Sequence, residues 1–453
     1  MGSGCQPPPP LRPADTGPSG QPHIQPAMGG DSSEVKQTSS VATASINLTK
    51  NLIGAGIFTL PSALLCSSVA AGLATMVFVG TVQASSFIMI AFLCQRLGAH
   101  TYRQVCAAAF GQRAGRIVDA CIMTNSFFAC TAYTILVADF MQKALEGLFG
   151  WQDAPRGLLI WSSTLSISLP ISHARDLSPL KFTSMMGMAI IALVVMYVVQ
   201  DFFRSFSEAK VNVQNHAFRL DMGIFRTLAL CTGAFQAHYN SPKFFKELGC
   251  NLRNHTCTVL CSFGSAFLIY SSFAVSGLGL FGDDLLGNVL KNYPAEGNTA
   301  VLMAWLGMAF AVIFTYPLVF TTGRDSLIGL VPALQRAGKT NPTGSHVAIT
   351  TSLVVVITMM ACIVDDVSVV TGLLGATIGA CLCWIFPAMI YLKVVLMGPA
   401  TELKEPLLPG RAPATRSVQL PTAGGAFIAY AVGMVIVGCL SMFVGVSRTL
   451  GLL

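Results

Sequence analysis

The stretch Asn51-Leu52-Ile53-Gly54-Ala55-Gly56-Ile57-Phe58-Thr59-Leu60-Pro61 lies inside an apolar segment long enough to cross a bilayer. Two glycines and a proline weaken a continuous helix there. Within lipid every backbone polar group must be satisfied by protein, so a broken helix persists only where it is buried or lines a cavity. Membrane carriers use such breaks, near mid-membrane, to present backbone groups to a solute. The stretch therefore predicts an interrupted spanning helix with a polar opening at its middle.

The composition around it agrees. Apolar residues make up 53% of the 453-residue chain and charged residues 10%, whereas a soluble protein carries about 25% charged residues. The chain reads as an all-α integral membrane protein. Segments long and apolar enough to span fall near 43–65, 69–94, 118–142, 157–172, 181–200, 223–243, 257–281, 299–322, 347–363, 367–395 and 424–446, about 11 in all. Residues 1–41, rich in Pro, Gly and Ser with prolines at 7–10, cannot bury enough surface to order themselves and read as a disordered cytoplasmic tail. Residues 42–446 form the transmembrane domain, and 447–453 a short C-terminal tail.

Orientation follows from Lys/Arg asymmetry. With the N-terminus in the cytoplasm, about 18 of the 27 Lys and Arg fall inside and about 7 outside. An odd number of spans then places the C-terminus on the opposite side. The net charge of +7 comes from basic residues scattered singly between spans, so membrane lipid is an expected partner and nucleic acid is not. The longer outside loops contain no cysteine, which predicts no disulfide between them. Cys381 and Cys383 lack further ligands at zinc spacing and read as small buried residues.

A second segment repeats the pattern of the first. Thr232-Gly233-Ala234-Phe235-Gln236 precedes Pro242, as Gly54-Ala55-Gly56-Ile57-Phe58 precedes Pro61. The two lie five spans apart, and each opens a block of five, at about 43–200 and 223–395, with one helix left over. Paired interrupted segments in corresponding positions point to an inverted-repeat transporter. At each break the free N–H groups and positive dipole end of the following half-helix suit a carboxylate. The carbonyls ending the preceding half-helix suit an ammonium or an alkali cation. An α-amino acid carries both groups.

Polar residues inside spans are costly and are functional candidates. Asn51, one turn before the first break, offers an amide to a cation or to the solute. Lys50 beside it is open to three readings: it snorkels, pairs with an acid, or stands in for a cation as a proton-linked charge. His238 follows the second break; a histidine there can titrate in the physiological range, which makes it a candidate for pH sensitivity, with a satisfied packing histidine as the competing reading. Thr315 precedes Pro317, which removes a backbone hydrogen bond. A freed carbonyl and a hydroxyl offer oxygen ligands to a hard cation, while Thr315 bonding back to its own helix is the competing reading. Asp139, near the outer end of the third span, reads as water-facing. Walker, H-E-x-x-H and G-x-S-x-G motifs are missing, so no enzyme activity is expected and the energy source is an ion gradient or the solute's own gradient.

On Asn51–Pro61, Gly233-Ala-Phe-Gln-Ala-His238-Tyr-Asn-Ser-Pro242 with Glu247-Leu248, and Thr315-Tyr-Pro317 running to Arg324, the chain resembles the amino acid/auxin permease family over residues 42–446. Within that family it is most similar to sodium-coupled neutral amino acid transporters, where Asn51 and Thr315 stand at sodium-site positions. The resemblance implies a leucine-transporter-type fold of two inverted five-helix repeats plus one helix. It implies cation-coupled amino acid transport by alternating access, with no cofactor beyond the coupling ion, Na+ or H+. The substrate carboxylate is then expected at the amides of Gly54, Ala55 and Gly56, and the ammonium at carbonyls near Cys231 and Gly233. Phe58 and Phe235 are expected to line or gate the side-chain pocket. A cation is expected between the first and eighth spans at Asn51, the Ile53 carbonyl and Thr315. Lys50 resembles what proton-coupled branches carry near this point. An amino-acid-sensing receptor on the same fold and an ion channel are the rival readings, and either a plasma membrane or a lysosomal or vacuolar membrane fits.

Overall fold

The computed structural model describes residues 37–175, 180–206, 217–219, 221–294, 298–397 and 425–452. Every element among them is helical. The first span is two helices. α1 (Val41–Leu52) starts at Ser40, whose side chain accepts from the Thr43 amide, an N-cap. It stops at Ile53, Gly54 is extended, and a 3-10 turn (Ala55–Thr59) leads into α2 (Leu60–Ser67), with Pro61 in its first turn. The axes on either side differ by 53°. Proline suits a helix start because the missing N–H has no intrahelical partner there.

α3 (Val69–Leu97) closes on Gly98 at φ 63, a left-handed C-cap that glycine adopts without strain. The short α4 (Tyr102–Phe110) precedes α5 (Gln112–Phe149). α6 (Arg156–Ser163) passes through a π turn (Thr164–Ser168) into α7 (Leu169–Ser172), and α8 (Leu180–Arg204) follows. The sixth span is again two helices. α9 (Ile224–Ala234) and α10 (Ser241–Glu247) are separated by Phe235–Ala237 and a 3-10 turn at His238–Asn240.

Then come α11 (Leu252–Phe281), α12 (Thr299–Leu330) with Pro317 inside it, the short α13 (Pro332–Thr340) and α14 (Pro342–Ile363). α15 (Val367–Leu374) runs through two π turns (Gly375–Gly379 and Cys381–Ile385) into α16 (Phe386–Met397), and α17 (Gly425–Thr449) is last.

Among the described residues, eight helices are long and apolar enough to cross a membrane, and the bent α1–α2 pair makes a ninth segment. The expected passages that remain are α6–α7, divided by a π turn, and α9–α10, divided by the second break. The order of elements is compatible with eleven passages arranged as five, five and one. The predicted span 118–142 is a longer helix, 112–149, and 347–363 begins earlier, at 342. α4 and α13 lie between spans and were not predicted.

The predicted tail, 1–41, lies mostly outside the described residues. Its last part is ordered: the amides of Thr38 and Ser39 both donate to the Glu247 carbonyl, at 3.0 and 3.1 Å. α17 likewise continues into the predicted C-terminal tail, to Thr449.

Contacts at the helix ends define a near end, where α1 begins, and a far end. At the near end Arg103 pairs with Asp119 at 2.7 Å. At the far end Arg219 donates to the carbonyls of Leu65 and Cys66, which end α2. Arg156 there binds Asp365 and the Val364 carbonyl. Packing between helices, rather than escape from water, holds such a bundle together, and small residues let backbones approach. Gly187 on α8 faces Ala311 on α12, and Gly323 on α12 faces Ser126 on α5.

Candidate functional site

A cavity of about 490 Å³ begins between the two breaks and runs to the near end. Its deep wall is Ile53, Gly54, Gly56 and Phe58 from the first break, with Gly233, Ala234 and Gln236 from the second. Toward the near end it is lined by Asn47, Lys50 and Asn51 on α1 and by Lys243 and Glu247 on α10. α5, α8, α12 and α15 complete it through Asn125, Tyr133, Ile191, Thr315 and Thr371, among others.

The first break interrupts the helix where the sequence predicts, but the Gly54 amide, expected to receive the carboxylate, is already taken by a tight turn. The amide of Gly54 turns back to Leu52 O at 2.9 Å, and that of Ile57 bonds to Gly54 O at 3.3 Å. The first N–H groups of a helical turn have no partner within it, and Gly54 and Gly56 border the deep end of the cavity. The Ile53 carbonyl takes no hydrogen bond among the described residues. Gly56 leaves little room for a side chain: a Cβ there lies 3.0 Å from Ala234 Cα and 3.2 Å from Ala234 Cβ. The two breaks therefore touch, backbone to backbone.

Asn51, Ile53 and Thr315 border the same cavity. Asn51 Oδ1 accepts from Asn240 Nδ2 at 3.2 Å. Thr315 Oγ1 donates to Ala311 O at 2.8 Å, the back-bonding geometry. A hydroxyl that donates keeps its lone pairs, and an amide oxygen has two. The three positions thus offer an amide oxygen, a carbonyl and a hydroxyl, the neutral oxygen donors a hard monovalent cation takes. Lys50 borders the cavity and makes no ion pair among the described residues.

The second break differs from the expectation. Cys231 and Phe235 are wholly buried and do not border the cavity. The carbonyls ending α9 are occupied: Cys231 O takes the Phe235 amide at 3.0 Å, Gly233 O the Gln236 amide at 3.4 Å, and Thr232 O the Gln83 side chain at 3.1 Å. Phe235 turns away from the cavity because Phe263 stacks on it at 6.0 Å and Tyr270 meets it edge-on at 5.0 Å. Phe58 does border the cavity, held edge-on by Phe140 and Phe273. His238 is also off the cavity. It is wholly buried, with Nε2 2.8 Å from Ser86 Oγ and 3.1 Å from Gln83 O, and its ring against Phe87.

At the far end the residues that tie the helices together, Arg156, Asp139, Asn288 and Lys291, do not border the cavity. Asp139, read from sequence as water-facing, is 2% exposed and bonds Lys291 at 3.2 Å and Asn288 at 3.3 Å. Those partners come from the segment between α11 and α12, which folds down onto α5. Trp305 Nε1 fixes that segment by donating to Leu290 O.

Sequence reading missed several lining residues. Tyr133 on α5 brings its hydroxyl 3.5 Å from where a Cβ on Gly54 would lie. Asn125, also on α5, is buried, and its Oδ1 has no partner among the described residues. Both are polar residues inside a span, the signal already used for Asn51 and Thr315.

Comparison with known proteins adds the family. Residues 37–399 match the family described as transmembrane amino acid transporter protein. The chain belongs to the transmembrane amino acid transporter family. Its relatives include vacuolar amino acid transporter 2 of Saccharomyces cerevisiae, 26% identical over 397 residues, which cover 83% of this chain and 80% of that one. Sodium-coupled neutral amino acid transporter 7 of Homo sapiens is 23% identical, covering 79% of this chain and 80% of that one.

Among solved structures, Mhp1, a nucleobase-cation-symport-1 family transporter in a closed conformation, superposes with a TM-score of 0.55. The two share 14% identity, and the match covers 92% of this chain and 91% of Mhp1. That likeness shows the fold, a leucine-transporter-type helical bundle. As a transporter-family member with many membrane-length helices, the chain is an integral multi-pass membrane protein.

Proposed function

We propose that the chain is a secondary-active transporter of neutral amino acids, coupled to a cation and working by alternating access. The observation that carries the reading is the pair of touching helix breaks at the deep end of a cavity open at one end of the bundle. The substrate carboxylate meets the amides at Ala55 and Gly56, with the Tyr133 hydroxyl beside Gly54; the Gly54 amide joins them only on releasing Leu52 O. Its ammonium lies toward the second break, where Gly233 and Ala234 border the cavity. The carbonyls there are already bonded in this state, so the ammonium shares them through their second lone pairs.

Neutral side chains are favoured because the charged residues lining the cavity, Lys50, Lys243 and Glu247, lie on α1 and α10 toward the near end, not at the breaks. A buried unpaired charge at the deep end would be costly. The cation sits at Asn51, Ile53 O and Thr315. With the near end in the cytoplasm, as the Lys/Arg asymmetry indicates, the structure is inward-open.

One observation supports a proton in place of sodium. Lys50 borders the cavity without an ion pair among the described residues, next to Asn51, and an ammonium there supplies the charge the ion otherwise would. Radiolabelled uptake into liposomes holding the purified chain, with an amino acid panel and with sodium and proton gradients imposed separately, tests the whole reading. Uptake driven by one gradient is expected. Amino acid binding with no net uptake under either gradient refutes transport and returns the receptor reading.

A further inference from the structure

We propose that Tyr270, on α11, is a positioning residue that clamps the cut ends of the two broken spans together. Its effect on uptake rests on the transport reading above, while its effect on the shape of the opening does not. The Tyr270 hydroxyl lies 2.6 Å from the carbonyl of Leu52, the last residue of α1. It lies 2.9 Å from the carbonyl of Ala234, the last residue of α9. Tyr270 is itself wholly buried and does not border the cavity, whereas Leu52 and Ala234 both do. It acts through the backbone of the two walls.

A phenol has one hydrogen to donate, so these two carbonyls share it. They do not depend on it equally. Leu52 O also takes the Gly54 amide at 2.9 Å. Ala234 O, at a helix C-terminus where carbonyls lack intrahelical partners, has Tyr270 as its one donor among the described residues. The ring cannot swing away, because Phe235 meets it edge-on at 5.0 Å and Phe263 backs Phe235.

The two carbonyl oxygens are therefore held no further apart than the reach of two hydrogen bonds. If α1 draws back from α9, the phenol stays on Ala234 O, and Leu52 O loses its 2.6 Å bond to Tyr270 and keeps only the Gly54 amide. Gly56 against Ala234 is the stop in the other direction. A stop and a tie at neighbouring residues set the spacing of the walls that receive the two ends of an amino acid.

The test uses the full chain with Asn47→Cys, an exposed position of α1 in the opening, and a bulky water-soluble maleimide. The chain without that substitution corrects for the exposed native Cys257, Cys261 and Cys439. Tyr270→Phe keeps the ring and removes the hydrogen. Labelling at position 47 is expected to rise about threefold or more as α1 gains freedom. The KM for uptake is expected to rise about tenfold with the maximal rate changed less than about twofold, since the loss is of preorganised binding.

An unchanged labelling rate overturns the clamp whatever the flux. If Tyr270→Phe is not recovered folded, Tyr270→His takes its place. It keeps an N–H donor, but one too short to reach both carbonyls, and faster labelling is again required. A wild-type chain without amino-acid-driven uptake refutes the transport reading, and the labelling comparison still decides the clamp.

Discussion

Replacing Gly56 by alanine adds one methyl group at the point where the two breaks touch. That carbon lies 3.0 Å from Ala234 Cα and 3.2 Å from Ala234 Cβ, against about 3.5–4.0 Å for carbon atoms at their optimum. The neighbour is backbone, so no flexible side chain can turn aside. The breaks must part by a few tenths of an ångström.

Overpacking of this kind costs about 1–3 kcal/mol. A middle figure of about 2 kcal/mol corresponds to roughly a 30-fold loss if it falls wholly on substrate binding. Gly433→Ala is the control, since a Cβ there meets nothing within 4 Å. The assay is concentration-dependent uptake by purified protein in liposomes, with amino-acid-induced thermal stabilisation as a measure of binding that does not need flux. Gly56→Ala is expected to lose affinity in both and Gly433→Ala in neither. A Gly56→Ala protein with wild-type KM and stabilisation refutes the argument that the touching breaks form the site.

Thr315→Ala is expected to raise the half-saturating cation concentration about tenfold, equivalent to about 1.4 kcal/mol. Expression should stay level, because the hydroxyl's present bond is local to its own helix; an unchanged ion dependence removes Thr315 from the site. His238→Ala is expected to lower thermal stability by about 1–3 kcal/mol, as it strips Ser86 of a buried partner. The pH profile of uptake should keep its shape, and a flattened profile would contradict the histidine's place off the cavity. Asp139→Asn leaves Lys291 without its counter-charge at the far end. With Lys291 29% exposed, the expected cost is discounted to about 1–2 kcal/mol in melting experiments. The double substitution Asp139→Asn with Lys291→Met should recover part of it, and strict additivity would show the pair to be uncoupled.

The breaks were legible because glycine and proline act locally. Gly54, Gly56 and Pro61 disrupt a helix whatever surrounds them, and the match at Gly233 and Pro242 needed only counting. The direction a side chain takes from a break was not legible. Phe58 and Phe235 occupy similar positions in the motif, yet Phe58 borders the cavity and Phe235 packs against α11. That choice is made by Phe263 and Tyr270, which are remote in sequence.

The clamp and the α5 contributors were hidden for a related reason. In a membrane bundle both the buried and the lipid-facing sides of a helix are apolar, so periodicity does not tell which way Tyr133 or Tyr270 points. Asp139 was misread because its partners, Asn288 and Lys291, lie in a loop whose path no pattern predicts. The short helices α4 and α13 escaped because a search for membrane-length apolar runs passes over them.

The π turns at Thr164–Ser168, Gly375–Gly379 and Cys381–Ile385 bear on how this chain is lined up with its relatives. A π turn takes up an extra residue relative to an α-helix. Each extra residue rotates everything after it by about 100°. For a relative without such a turn, a gapless alignment carried through it pairs lining residues of one protein with lipid-facing residues of the other. At identities near 25% nothing in the residue types corrects the slip. Transfer of residue roles along the fourth and tenth spans therefore needs a one-residue gap wherever a relative lacks the turn, placed by superposing backbones before any side chain is compared.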